Sequence, residues 1–426
     1  MSINKKNHIH WFNNDLRVND QPFMPLLTEK KHHFGVYVID PRKFKQLPYG
    51  FRKTGLERAK FLRQCLVGLQ ESYSQLGSQL LVVYGKPEEI IPTIVTNYDA
   101  SLSYQREYAT EERQIQQSIE QQLDSSRLHT YDGNFLIHPS EIALDPFPIS
   151  FSSFRKKAEK VLKNTATLSE AVPETLPSSP KQFDLLRNRP IVYHSKTVFP
   201  FPGGEKAALY RLNDYLFTSK AISTYKTTRN ELLGENYSSK FSPWLASGAL
   251  SSQTILQQIR QYEEIYGSNQ SSYWLVFELL WRDYFRHAGR HYEDRLFHAS
   301  GINNSALQSS QNMELLEKWK QAKTGNTFID ANMKELALTG FMSNRGRQNV
   351  ASYLVHDLSL DWRLGAAWFE HNLLDYDVYS NQANWQYIAG LGFNPKGAAV
   401  FDIPFQTTRY DPTGTYQNNW INEEIR

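Results

Sequence analysis

Between Gly340 and Gly390 the chain carries a close pair of arginines, Arg345 and Arg347, a carboxylate pair one residue apart, Asp375 and Asp377, and, among its aromatics, Trp362, Trp368, Trp385 and Tyr387. Arginine presents a rigid fork of N–H donors that suits carboxylates and phosphates. Indole rings stack on flat ligands, and they can also give up an electron. Taken singly, these residues read as core aromatics, a helix-end carboxylate pair and surface bases. Taken as one run, they suit a large planar, hydrogen-bonding, redox-active cofactor better than they suit a hydrophobic core.

Three upstream segments add to that chemistry. The first is Tyr225-Lys-Thr-Thr-Arg229. The second, Tyr237-Ser-Ser-Lys-Phe-Ser-Pro-Trp-Leu, is a polar turn leading into a predicted helix. Hydroxyls and backbone N–H groups at a helix start form an anion site suited to a diphosphate, although most serine-rich caps only cap. The third, Glu278-Leu-Leu-Trp-Arg-Asp283, puts Glu278, Trp281 and Arg282 on one face of one helical turn. A lone glutamate there reads as solvated. Beside Trp281 it offers hydrogen bonds to a base edge while the indole stacks.

The elements that must position these groups follow from pattern and composition. A chain of 426 residues suggests two or three domains. Short apolar runs at 8–12, 34–39, 79–84, 100–104 and 128–131 alternate with helix-like spacing at 54–76, 87–98 and 107–123. That alternation predicts an α/β domain with a Rossmann-like parallel sheet over residues 1–140. No G-x-G-x-x-G or G-x-x-x-x-G-K-[ST] run follows the first strand, so a dinucleotide is not expected there. Residues 141–202 read as an inter-domain connector, its later part rich in proline, serine and threonine. From Gly203-Gly204 onward the pattern is all-α, giving a helical domain over 203–426. Ser251 is the expected cap of one helix and Ser271–Ser272 of the next.

Charge and cysteine content exclude several classes. A formal net charge of +3 rules out a histone-like polycation and leaves room for a local basic groove. Aromatics at 13% favour a protein that stacks on flat ligands or bases. Cys65 is the only cysteine, which excludes an intrachain disulfide and a zinc-finger set and favours a reducing, cytoplasmic setting. No run approaches the ~20 apolar residues of a membrane span, and the N-terminal residues lack an apolar signal core. His287 and His291 have metal-capable i, i+4 spacing, yet they lie in no H-E-x-x-H context and read as a solvated helix face. No metal is expected. The run Lys30-Lys31-His32-His33 reads as an exposed turn.

In order along the chain, these segments resemble the photolyase/cryptochrome family, in particular its cryptochrome DASH branch. Further runs carry the resemblance: Trp11-Phe-Asn-Asn-Asp-Leu-Arg17, Asp40-Pro-Arg-Lys-Phe44, Phe51-Arg-Lys-Thr-Gly55, Gly85-Lys-Pro-Glu-Glu89, Gly203-Gly-Glu-Lys-Ala207, Phe241-Ser-Pro-Trp244 and Asp330-Ala-Asn-Met333. The resemblance implies a blue-light-driven flavoprotein with an antenna-type α/β domain and a helical domain that buries FAD. It places Tyr225 and Ser238, Ser239, Lys240, Phe241 and Ser242 on the diphosphate side. Arg282, Asn344, Arg347, Asp375, Asp377 and Asn381 join the cofactor site, with Arg347 paired to Asp375 beside the flavin ring.

The resemblance also implies repair of cyclobutane pyrimidine dimers by electron transfer from excited reduced FAD, in a pocket made by Glu278, Trp281, Asn344, Gln348 and Tyr387. Gln348 and Tyr387 replace the Met and Trp of photolyases that act on duplex DNA. Losing one stacking partner weakens capture by ~1–3 kcal/mol, and single-stranded DNA needs no extrusion from a duplex. A single-strand-preferring enzyme is therefore expected, with RNA or undamaged DNA as further partners and a monomeric state. The alternative is a photoreceptor that binds FAD and nucleic acid without significant repair. The family-like body running to about residue 420 favours the enzyme. Trp385 and Trp362 match the inner two members of the family's tryptophan electron path. The outer position falls on Ser309, so Trp319 becomes the candidate for the surface step. Methenyltetrahydrofolate is the implied antenna, with Glu107 as a contact to its pterin.

Overall fold

Runs rich in Val, Ile, Leu and aromatic side chains, bounded by Gly, Pro and Asp, form one five-stranded parallel sheet in the computed structural model, which describes residues 6–164, 173–187 and 191–425. Its strands are β1 (Asn7–Phe12), β2 (His32–Ile39), β3 (Leu80–Tyr84), β4 (Ala100–Gln105) and β5 (Leu128–Tyr131), in the order β3-β2-β1-β4-β5. Crossovers run through α1 (Leu56–Gln75), α2 (Pro87–Asn97) and α3 (Thr110–Glu120). Side chains alternate across the pleat. Ile9 and Trp11 of β1 therefore pack with Ile91, Val95 and Ile119 under α2 and α3, while Phe12 packs with Phe61 and Cys65 of α1.

The α1 face holds three buried histidines: His8 and His10, within the strand expected at 8–12, and His33. His33 belongs to a buried strand rather than an exposed turn, because β2 begins at His32 and its alternation turns His33 inward. Nδ1 of His33 lies 3.0 Å from Nδ1 of His8, and His10 bridges Ser103 Oγ (2.7 Å) and Asp15 (2.9 Å). Burial pushes His33 down to about 3 and lowers His8 and His10. These histidines are neutral in the fold and take up protons on unfolding. Their contribution is present above the ordinary histidine pKa of ~6.5 and is lost progressively as pH falls below it, at about 1.4 kcal/mol per pKa unit. Stability to urea should fall on going from about pH 7.5 to about 5, and His33→Gln should make that fall shallower. Parallel pH profiles of wild type and variant would refute the assignment.

The expected connector is partly helical. Residues 165–172 and 188–190 of it lie outside the described residues. Ahead of them, α4 (Phe151–Asn164) packs Phe151 and Phe154 into the core of the helical domain. Apolar residues at helical spacing, Phe151, Phe154, Ala158 and Leu162, made this helix, and the prolines that follow masked it. Residues 176–186 then lie along the α/β domain, where Leu176 N donates to Leu76 O and Leu186 N to Gln70.

The helical domain comprises α5 (Glu205–Asn213), α6 (Tyr225–Thr228), α7 (Ser242–Ser247), α8 (Ser252–Tyr266), α9 (Gln270–Tyr292), α10 (Met313–Lys320), α11 (Thr327–Thr339), α12 (Asn344–Ser352), α13 (Trp362–Asn372), α14 (Val378–Ala389), α15 (Ile403–Tyr410) and α16 (Thr415–Trp420). Ser251 caps α8 as expected. The cap of α9 is Asn269, in a reciprocal box with Ser272, rather than Ser271–Ser272.

The two domains meet closely. Gly248, at φ 71° after α7, leaves no room for a Cβ against the Asn14 carbonyl, and Leu16 N donates to Ser247 O. His287 lies in this packing, 2% exposed and donating to Ile137 O, so it is a core residue rather than part of a solvated face. The phenyl rings of Phe135 and Phe154 flank it. Among the described residues no group of His, Cys, Asp and Glu is placed to hold a metal ion, and no helix is long and apolar enough to cross a membrane.

Candidate cofactor and substrate cavity

A cavity of about 460 Å³ opens in the helical domain between α6, the 237–242 turn, α9, α12 and α14. That volume lies within the range of small-molecule and cofactor sites. Tyr225, Ser238, Ser239, Lys240, Phe241, Ser242, Glu278, Trp281, Arg282, Asn344, Arg347, Gln348, Asp375, Asp377, Asn381, Trp385 and Tyr387 all line it, so the fold gathers four distant sequence segments onto one surface. Two expected site residues lie elsewhere. Trp362 is 1% exposed behind the wall, and Glu107 sits at the domain interface.

Helix geometry explains the gathering. Glu278, Trp281 and Arg282 come from one turn of α9. Asn344, Arg347 and Gln348 stand one helical turn apart on α12, after the Ser343 cap. Asp377 caps α14 by accepting from Ser380 N at 2.8 Å, and Asn381 and Trp385 follow at i+4 and i+8. Arg347 donates to Asp375 Oδ2 at 2.8 Å and to the Met342 carbonyl at 2.9 Å. Asn381 donates one N–H of Nδ2 to Ala366 O at 3.1 Å, which leaves its oxygen and its second N–H for a ligand.

At the other end, α7 is only six residues long. An anion there would meet the serines of the turn and Lys240 more than a helix dipole. Arg211 of α5, absent from the sequence reading, holds that turn by donating to the carbonyls of Glu235, Ser238 and Ser239. Nothing in the local pattern distinguishes it from an ordinary helix-face arginine.

Several buried polar atoms of the wall have no partner within the protein: Asp375 Oδ1, Gln348 Oε1, Lys240 Nζ and the Tyr237 hydroxyl. Each such group costs ~1–3 kcal/mol unless something meets it. A ligand that fits must bring N–H groups to the Asp375 side and an anion to the Lys240 side. FAD does both, with a flavin edge and a diphosphate.

At the mouth, Glu278 is ion-paired with Arg229, whose guanidinium also lies 4.4 Å from the Trp274 ring centroid. Arg229, the last residue of the Tyr225–Arg229 segment, thus holds this carboxylate. Burial raises the Glu278 pKa and Arg229 opposes the rise. Trp281 stacks on Phe151 of α4 at 3.8 Å and 13°, and its edge meets Tyr387 at 6.2 Å. One face of this indole is therefore already taken by a residue of the expected connector.

The tryptophans named for the electron path differ in their positions. Trp385 lies in the cavity wall at 2% exposure, packed on Gly365 of α13 so tightly that a Cβ there would run into the indole. Trp362 starts the same helix. The segment carrying Ser309 does run beside Trp362, since Ser310 exchanges backbone hydrogen bonds with Ser359 and Asp361. It offers no aromatic ring between Gly301 and Asn312. Trp319 is not a surface residue: it is 0% exposed, its Nε1 donates to Val350 O, and its ring meets that of Trp385 at 6.5 Å. It can relay a hole but cannot pass one directly to solvent.

Sheet order, interdomain packing and cavity together define a photolyase-type fold with a helical FAD-binding domain. Residues 8–178 match the family described as DNA photolyase, and residues 274–425 match the FAD binding domain of DNA photolyase. The cryptochrome DASH of Synechocystis sp. is 42% identical over 424 residues, covering 97% of this chain and 87% of that protein. The cryptochrome DASH of Gloeobacter violaceus is 40% identical, covering 99% and 86%. The crystal structure of a Synechocystis sp. PCC6803 cryptochrome superposes with a TM-score of 0.93 at 41% identity, covering 98% of this chain and 89% of that one. The chain belongs to the photolyase/cryptochrome family, in its cryptochrome DASH branch.

Proposed function

We propose that the protein is a light-driven DNA-repair enzyme that splits cyclobutane pyrimidine dimers, mainly in single-stranded DNA. The observation that carries this reading is the convergence of Glu278, Trp281, Gln348 and Tyr387 on the mouth of the cavity that fits FAD. Reduced FAD bound there supplies an electron on absorbing blue light. Arg347 beside Asp375 holds positive charge against the flavin side, where it favours an anionic reduced ring. Trp281, braced by Phe151, and Tyr387, at its edge, offer the dimer a stacking corner. Glu278, with its raised pKa, hydrogen-bonds a pyrimidine carbonyl as that oxygen gains charge, an electrostatic contribution made in place. Arg229 gives up part of its hold on Glu278 as substrate enters.

Tyr387 and Gln348 present less stacking area and more polarity than Trp and Met would. Extruding a dimer from a duplex costs a few kcal/mol, and these side chains supply less to offset it. Repair of a dimer-containing single strand should outpace repair of the same sequence as a duplex at matched sub-saturating concentrations. Binding should weaken with salt through phosphate contacts. Equal rates on the two substrates would overturn the preference.

We further propose methenyltetrahydrofolate as antenna at the carboxyl ends of β1 and β4, the switch point of the sheet. Glu107 follows β4 there. It accepts from Gln105 at 2.8 Å, Tyr379 at 2.8 Å and Arg286 at 3.0 Å. A carboxylate takes about four hydrogen bonds, so a pterin contact adds to this network and does not replace it. The single buried cysteine, Cys65, accords with a monomer in a reducing cytoplasm.

A further inference from the structure

Lys240 Nζ lies 4.9 Å from the ring of Phe341, just past the end of α11, and that helix carries a buried carboxyl group that neither the motifs nor the family match singles out. Glu335, on α11, is 0% exposed. Its Oε2 lies 2.6 Å from the Tyr416 hydroxyl of α16, and that hydroxyl also lies 3.1 Å from Asn332 Oδ1. Asn332 donates from Nδ2 to Phe328 O at 2.8 Å, which fixes its oxygen as the atom facing Tyr416.

With Glu335 ionised, Tyr416 would stand between two acceptors with one hydrogen. With Glu335 protonated, its O–H donates to Tyr416, Tyr416 donates to Asn332, and the chain is complete. Buried polar groups strongly favour complete chains. On the cavity side, Lys240 is 2% exposed, with Nζ unpartnered and 3.1 Å from the Tyr237 ring centroid. No ion pair joins it to Glu335, whose Oε1 is also unpartnered.

We propose that Glu335 is held as a neutral acid so that the positive charge of Lys240 remains available to the FAD diphosphate, and that ionisation of Glu335 competes with the cofactor for Lys240. Glu335 acts as a positioning residue, through Lys240. The proposal rests on the FAD reading above. Burial pushes the Glu335 carboxyl up to about 7, with Tyr416, Lys240 and Arg347 opposing, so the competition falls within the physiological range. Burial likewise lowers the Lys240 pKa, with Arg211 and Arg347 lowering it further and Glu335 and Glu235 raising it. Of the remaining charged neighbours, Arg347 pairs with Asp375, Arg211 pairs with Asp214, and Glu235 is exposed to solvent.

The sign follows from linkage. A nearby diphosphate favours the protonated form of Glu335, so FAD binding takes up a proton and weakens as pH rises through the Glu335 titration. The test is titration of FAD into cofactor-free full-length protein between about pH 6 and about 8, followed by flavin fluorescence. The wild-type Kd should rise up to about tenfold per pH unit above neutrality. Glu335→Gln should bind at every pH with the affinity that wild type shows at the acid end.

A slope retained in Glu335→Gln would assign the titration to Lys240 alone and overturn the proposal. FAD binding that is absent in wild type at every pH would instead overturn the cofactor reading. If Glu335→Gln does not fold, infrared spectra of the wild type decide: a protonated-carboxyl band at neutral pH that disappears on alkaline titration supports the proposal, and no such band refutes it.

Discussion

Trp385→Phe is expected to abolish, or slow by orders of magnitude, the light-driven reduction of the FAD-loaded protein. Trp385 is the one indole of the expected pair that lines the cavity, and the ring beside it, Phe369 at 5.1 Å, does not give up an electron readily. On this proposed path Trp362, buried at the start of α13, would refill Trp385. With serine at position 309, no third tryptophan continues toward solvent. Trp319 touches Trp385 directly and is the natural branch. Its full burial makes it a relay whose hole must still find a way out.

Repair by chemically pre-reduced Trp385→Phe should survive, because splitting the dimer does not use this path. Trp319→Phe separates the two routes. A bleaching yield equal to wild type would eliminate the Trp319 branch while leaving the inner pair standing. Unchanged photoreduction in Trp385→Phe would remove the path altogether.

Asp375→Ala should strip the protein of FAD or shift its reduction potential strongly. The side chain of Asp375 is 3% exposed, and its partner Arg347 would be left with the Met342 carbonyl as its remaining hydrogen-bond partner. Breaking a buried pair from one side costs roughly 3–5 kcal/mol. If about 3 kcal/mol of that appears in cofactor binding, affinity falls roughly a hundredfold. Cofactor content after gel filtration and a redox titration measure it. Asp375→Asn, which keeps the shape and one acceptor, should lie between the two. Wild-type flavin content and potential in Asp375→Ala would show that the pair does not serve the cofactor.

The sequence by itself determined the parallel sheet, because each strand is a local apolar run whose period and bounding turns can be read without knowing its neighbours. It also placed Glu278, Trp281 and Arg282 on one face of a single turn of α9, whereas Asp377, Asn381 and Trp385, which span more than two turns at the start of α14, followed from the family resemblance. Spacing of three or four residues fixes a shared face before any tertiary contact forms. What lay between the motifs was decided only by the tertiary structure.

Burial of His33 and His287 depends on which elements cover β2 and α9, and polar residue types give no sign of it. The partners of charged groups are likewise a matter of packing across the chain. Arg229 meets Glu278, Arg211 ties down the serine turn, and Phe151 of the supposed connector lies on Trp281, at sequence separations no local period can encode. The protonated state inferred for Glu335 rests on Tyr416, which is 81 residues away. A carboxyl group becomes a neutral acid only when the whole fold has removed water from it and left it one neighbour able to accept its proton.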